Sequence, residues 1–212
     1  MTAETMFGGS AVVAVVRTDD DVRAADIARA VVAGGIGAVE ITATVPGAAQ
    51  LVAALRSELE GVATIGAGTV LTAAQADEFA GVGAAFMMSP ALNHDVIAVA
   101  HAAGIPFLPG VLTPTEAWTA ASLGVAAVKL FPAGSVGTGH LRALREVLPD
   151  VAFVPTGGIE PDDVAGWLDA GAVAVGVGGA FARAHRRGGY EAVLEVATQL
   201  IRSSHVHKGE AT

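Results

Sequence analysis

One phrase recurs along the chain: a helix-periodic stretch, a glycine, then a short apolar run. It appears as Ala33-Gly34-Gly35-Ile36-Gly37-Ala38-Val39-Glu40 and as Ala80-Gly81-Val82-Gly83-Ala84-Ala85-Phe86. It returns as Ala103-Gly104-Ile105-Pro106-Phe107-Leu108, Leu123-Gly124-Val125-Ala126-Ala127-Val128 and Ala170-Gly171-Ala172-Val173-Ala174-Val175. The physical reading is a helix ended by a left-handed glycine that turns the chain directly into a strand. Strands buried on both faces read as continuous apolar runs rather than alternating ones, which marks these as parallel. The stretches before the glycines carry apolar residues at helical spacing, as in Asp26-Ile27-Ala28-Arg29-Ala30-Val31-Val32.

Counted this way, strands are predicted near 11–16, 37–42, 62–66, 84–88, 105–109, 125–130, 151–155 and 173–177, each followed by a helical segment. Several of those helices carry opening signals: Thr72 before Gln75, Asn93 before Asp95, Thr113-Pro114 before Glu116, and Pro161 before Asp162-Asp163. Eight βα units in 212 residues fit an α/β fold with a single (β/α)8, or TIM, barrel. A doubly wound open sheet matches the same pattern and stays open at this point. No composition break or long linker divides the chain, so residues 1–212 read as one domain. The polar stretch 203–212 reads as a frayed C-terminal tail.

The 52% hydrophobic content excludes a disordered chain, and a formal charge of −9 argues against a nucleic-acid partner. No cysteine is present, which removes disulfides and thiolate metal sites. The N-terminus is acidic at Glu4 and its apolar run ends at Arg17, a poor secretory signal. The longest uncharged apolar stretch, 170–182, is 13 residues, short of the roughly 18 a membrane span needs. The chain therefore reads as soluble and cytoplasmic, with no membrane partner. His205 and His207 have no third ligand nearby and read as solvated, and no metal is expected.

Within this arginine-favouring chain only Lys129 and Lys208 are lysine, and Lys129 stands inside an apolar strand. Glu40 is the other ionisable residue inside such a strand. With period two, Ala127, Lys129 and Phe131 share one face, as do Ala38, Glu40 and Thr42. Burial disfavours a charged amine, and a neutral amine is a nucleophile suited to forming an imine with a ketone. Arginine has no such chemistry. The plainer reading is a strand-end lysine that snorkels outward or pairs with a carboxylate, and Glu40 as partner suits both views. Gly157-Gly158 and Gly178-Gly179, each after a strand, read as an anion site made of backbone amides, or else as tight turns. Gly66-Ala67-Gly68 is not a dinucleotide fingerprint, because the third glycine position holds Leu71.

These residues fall into ordered blocks: Val12-Val13-Ala14-Val15-Val16-Arg17, Glu40-Ile41-Thr42, Gly66-Ala67-Gly68-Thr69-Val70, Ser89-Pro90, Pro109-Gly110, Val128-Lys129-Leu130-Phe131-Pro132 and Val154-Pro155-Thr156-Gly157-Gly158-Ile159. Taken together, from about 10 to 185, the chain resembles the class I 2-keto-3-deoxy-6-phosphogluconate (KDPG) / 4-hydroxy-2-oxoglutarate aldolase family. The resemblance implies a (β/α)8 barrel, a homotrimer, and no metal or cofactor. It implies Lys129 as the Schiff-base lysine and Glu40 as a general acid/base working through a water. Thr69 and Pro90 correspond to residues lining the pyruvyl end, and Phe131 to an aromatic wall beside the lysine. Thr156, Gly157, Gly158, Gly178 and Gly179 correspond to the phosphate side, and Arg17 to an anchor for the substrate carboxylate. The implied small-molecule partners are a phosphorylated 2-keto acid and pyruvate.

Two positions depart from the KDPG pattern. Thr44 stands where some members carry a carboxylate-binding arginine, and Ala180 where some carry a phosphate-binding serine. Thr44-Val45-Pro46 together with Arg17 are closer to another branch, and related members act on the galactonate epimer. A phosphosugar isomerase or epimerase, or a non-catalytic binder of phosphorylated acids, would share the glycine loops. His140 lies near the expected barrel mouth, while Trp118 and Trp167 read as packing residues.

Overall fold

The computed structural model describes residues 6–208. Nine short strands form among the described residues: β1 Val12–Val16, β2 Ala38–Thr42, β3 Thr64–Gly68, β4 Met87–Met88, β5 Phe107–Leu108, β6 Gly110–Val111, β7 Val128–Leu130, β8 Phe153–Pro155 and β9 Val175–Val177. Eight α-helices accompany them among the described residues: α1 Asp21–Ala33, α2 Ala48–Glu58, α3 Ala73–Gly81, α4 His94–Ala102, α5 Pro114–Ser122, α6 Gly137–Val147, α7 Val164–Asp169 and α8 Gly179–Lys208. Helix α8 is interrupted at Gly188 and Gly189, the latter with φ 61°. It continues through Lys208, so the helix includes the first part of the stretch read as a tail, and residues 209–212 lie outside the described part.

All pairings are parallel. The order β5-β4-β3-β2-β1-β9 forms one run and β6-β7-β8 another. β5 and β6 are separated only by Pro109, which has no amide to donate. Its carbonyl still accepts from the Lys129 amide at 2.9 Å, so the two short strands act as one stave. On the other side, a bridge joins Thr156 to Gly176 and the Val173 amide donates to the Phe153 carbonyl at 3.0 Å. Eight staves thus close into a ring. β3 ends at Gly68, two residues beyond the end expected from sequence, so Gly66 and Gly68 belong to the strand itself.

The helix signals act as their chemistry dictates. Thr72 and Thr113 form capping boxes with Gln75 and Glu116, and Asn93 accepts from the amides of Asp95 and Val96. A left-handed glycine follows the helix in all five recurring phrases, at Gly35, Gly83, Gly104, Gly124 and Gly171. In the first phrase it is the second glycine that turns. Gly34 serves packing instead: a Cβ there would stand 2.5 Å from the Ala197 Cβ, so its absence lets α1 approach α8.

Two apolar layers result. Val12, Ala14 and Val16 of β1 belong to the cluster shared with the surrounding helices. Val13, Ala38, Phe86, Met88, Leu108, Ala127, Val154 and Ala174 fill the barrel interior with Met6 and Phe7. Phe7 and Phe86 meet edge to face, with centroids 5.3 Å apart. Gly66 leaves the room for that ring, since a Cβ there would fall 2.5 Å from Phe86 Cε2. Strand alternation then places the next inward layer above this apolar floor: Val15 and Arg17 after Val13, Glu40 after Ala38, Lys129 after Ala127.

Candidate active site

Lys129 and Glu40 meet inside the barrel, 89 residues apart in sequence. Lys129 Nζ donates to Glu40 Oε1 at 3.1 Å and to Oε2 at 3.3 Å. Glu40 is wholly buried and Lys129 is 3% exposed, so neither snorkels to water. An ion pair in such a place recovers its desolvation cost only through close, well-directed bonds. The room for the carboxylate comes from β3. A Cβ on Gly68 would lie 1.7 Å from Glu40 Oε1, so any side chain there excludes the observed carboxylate position. The Phe131 ring stands with its centroid 6.0 Å from Lys129 Nζ, at the outer limit of cation–π attraction.

A cavity of about 310 Å³ opens above the lysine. Its wall includes Arg17, Lys129, Phe131, Thr156, Gly157, Gly158, Gly178 and Gly179, eight of the residues singled out from sequence. Gly157 and Gly158 are left-handed, with φ 91° and 72°, and turn the chain sharply at the end of β8. A Cβ on Gly157 would stand 2.7 Å from Phe131 Cε2, so glycine there also admits the aromatic wall. Gly178 and Gly179 lead into α8; the Phe181 and Ala182 amides donate to the Gly178 carbonyl at 3.1 and 3.3 Å, and the Gly179 and Ala180 amides ahead of them belong to the set that lacks intrahelical acceptors. Backbone donors at a helix start suit an anion without any basic side chain.

Arg17 reaches across to two hydroxyls. Its Nη2 donates to Thr69 Oγ1 at 2.8 Å and its Nη1 to Thr44 Oγ1 at 3.3 Å. Thr44 in turn shares a 2.9 Å hydrogen bond with Thr42, and Thr42 Oγ1 donates to the Val16 carbonyl at 3.2 Å. Thr69 holds φ 57°, the only positive value at a non-glycine among the described residues. It touches the cavity through Arg17 rather than as part of the wall. Pro90 is not part of the wall: its carbonyl carbon is 2.2 Å from where a Cβ on Gly110 would be, so glycine in β6 permits the close approach of the chain after β4.

Other expectations resolve differently. His140 Nε2 donates to the Leu112 carbonyl at 2.7 Å, which commits that ring to the loop after β6. Trp167 is buried as expected for packing, but Trp118 stands 61% exposed on α5. No group of three or more metal-ligating side chains occurs among the described residues, and the side chains of His205 and His207 lie outside them. No helix among the described residues is long and apolar enough to cross a membrane. Sequence pattern alone did not single out Arg183 and Glu160, which also line the cavity and pair with each other.

The family model described as KDPG and KHG aldolase matches residues 4–196. Over 156 residues the chain is 38% identical to the 2-dehydro-3-deoxy-6-phosphogalactonate aldolase of Escherichia coli K12, covering 73% of this chain and 76% of that one. It is 40% identical over 158 residues to the 2-dehydro-3-deoxy-phosphogluconate aldolase of Treponema pallidum, covering 74% and 73%. Its fold superposes with a TM-score of 0.80 on the KDPG aldolase of Legionella pneumophila, solved with pyruvate captured at low pH as a covalent carbinolamine intermediate. That pair is 29% identical and covers 90% of this chain and 94% of the other. With a model match over most of its length and relatives of this identity, the chain belongs to the KDPG and KHG aldolase family of class I aldolases, carbon–carbon lyases.

Proposed function

We propose that this chain reversibly cleaves 2-keto-3-deoxy-6-phosphogluconate to pyruvate and glyceraldehyde 3-phosphate, and also splits 4-hydroxy-2-oxoglutarate to pyruvate and glyoxylate. The observation that carries the reading is the buried contact of Lys129 Nζ with Glu40 below the cavity. Lys129 passes a proton to Glu40 and attacks C2 of the keto acid, giving a carbinolamine. Glu40 returns that proton to the carbinolamine hydroxyl, which leaves as water, so that a protonated imine and a free carboxylate remain. Glu40, directly or through one water, then takes the proton of the C4 hydroxyl. The C3–C4 bond breaks, its electrons pass into the imine to give an enamine, and the aldehyde leaves. Protonation at C3 and hydrolysis of the imine release pyruvate and free Lys129. Arg17, tethered by Thr69 and Thr44, holds the carboxylate. Thr156, Phe131 and the turns Gly157-Gly158 and Gly178-Gly179 shape the remaining walls, with the glycine amides facing the phosphoryl group.

A second reading takes the galactonate epimer as the preferred substrate. The Arg17–Thr44 contact favours it, because it replaces the arginine that KDPG-type members place at that position. Comparison of kcat/KM on the two epimers and on 4-hydroxy-2-oxoglutarate decides between these readings. Preference for an epimer with no imine formation would instead support an isomerase or epimerase. The unbroken composition and the lack of a targeting signal support a single-domain, cytoplasmic protein, and the family resemblance supports a homotrimer. Sedimentation equilibrium should then return three times 21.0 kDa, and a monomer would overturn that part.

A further inference from the structure

Arg183 is the fifth residue of α8 and lines the cavity beside Gly178 and Gly179. Its Nη2 donates to the carboxylate of Glu160, which projects from the loop after β8 and lines the same cavity. Four charged side chains face this space: Arg17, Lys129, Glu160 and Arg183. Lys129 is held by buried Glu40 and Arg17 by two hydroxyls on its own side. Arg183 is the cation whose partner is a carboxylate at the rim, with both side chains about half exposed at 52% and 53%. Gly179 leaves space for it, since a Cβ there would stand 3.0 Å from Arg183 Nη1.

An exposed ion pair is weak and readily exchanged. A phosphoryl dianion, seated against backbone amides, is a stronger partner for the guanidinium fork, which matches it with two parallel bonds. The net charge of −9 opposes an anionic substrate, so a cation at this end has to supply attraction locally. We propose that Arg183 is a specificity-determining residue that grips the phosphoryl end of the substrate, and that Glu160 is its displaceable internal stand-in. On arrival the phosphoryl oxygens replace the Glu160 carboxylate. The carboxylate swings toward solvent, and an unphosphorylated acid leaves the pair closed. This inference rests on the aldolase reading of the same site.

The test uses the full chain and whichever phosphorylated epimer the wild type cleaves, with pyruvate trapping by borohydride as the unphosphorylated comparator. Arg183→Gln should raise KM for the phosphorylated acid about 10- to 100-fold, the range for losing a charged hydrogen bond, while moving kcat far less. Half-saturation by pyruvate should stay within about twofold, because pyruvate does not reach Arg183. Arg183→Lys should recover part of the loss. Glu160→Gln should lower KM for the phosphorylated acid by about two- to fivefold, the scale of an exposed ion pair. Equal changes on both ligands, or none, would overturn the role of Arg183. If Arg183→Gln does not fold, inorganic phosphate as competitive inhibitor of wild type and Arg183→Lys gives the same decision. Weaker inhibition in the variant supports the proposal, and unchanged inhibition contradicts it. A wild type that traps no pyruvate would instead sink the aldolase reading itself.

Discussion

Lys129 Nζ lies 3.1 Å from Glu40 Oε1, and the contact is buried at the floor of the cavity. The lysine is therefore placed beside the group that can take its proton before attack and return it later. Glu40→Gln keeps the shape and removes the base. We expect the pyruvate adduct on Lys129 still to form, while cleavage slows by about 10²-fold or more. Near-normal turnover in single-turnover assays would remove Glu40 from acid–base duty.

Gly68 makes that contact possible. Gly68→Ala places a methyl 1.7 Å from Glu40 Oε1, so the carboxylate must leave its position. Cleavage should fall to near background, with a lowered Tm. Gly139→Ala is the control: it lies in α6 with nothing within 4 Å of the new methyl, and should gain about 0.5–1 kcal/mol from helix propensity without loss of activity. Equal behaviour of the two variants in thermal melts and assays would contradict the steric argument.

Thr69 trades stability for a tether. Its φ of 57° costs a β-branched residue about 1 kcal/mol or more, yet its hydroxyl accepts from Arg17 at 2.8 Å. Thr69→Gly should match or exceed wild-type stability in denaturant unfolding and raise KM for the keto acid. A destabilised variant with unchanged KM would reverse both halves of this statement.

Glu116 gives a pH signature away from the site. The Leu112 amide, then the Thr113 amide and hydroxyl, hold its carboxyl below the ordinary value of 4.5, against the opposing effect of burial. A folded value below the unfolded one stabilises above about pH 4.5 and loses that contribution as pH falls through the folded value. Glu116→Gln should thus cost about 1 kcal/mol at neutral pH, the scale of a lost cap, with the difference shrinking at acid pH. A difference that persists unchanged at pH 3 would contradict this assignment.

What the sequence made legible and what it hid follow from locality. The helix–glycine–strand phrase is local, so the eight staves and their caps could be read from it. Period two in Ala38-Val39-Glu40 and Ala127-Val128-Lys129 put the two ionisable residues in phase with the apolar floor, and they meet in the structure. Gly66 and Gly68 were legible as a family block and as failing a nucleotide fingerprint, but their role was not, because it is steric and depends on Phe86 and Glu40 from neighbouring strands. The Arg17–Thr44 contact spans 27 positions and needs the closed ring to exist. Arg183 stands in a helix with Arg186 and Arg187, and pattern alone does not tell a cavity arginine from an exposed one. Its signal was position: close to the start of the helix that Gly178-Gly179 opens.

The central claim is that Lys129 is the nucleophile. Incubation with pyruvate and borohydride, followed by peptide mass mapping, tests it most directly. One reduced pyruvyl adduct is expected on the peptide containing Lys129, abolished by Lys129→Arg. An adduct only at Lys208, or no adduct at all, would contradict it.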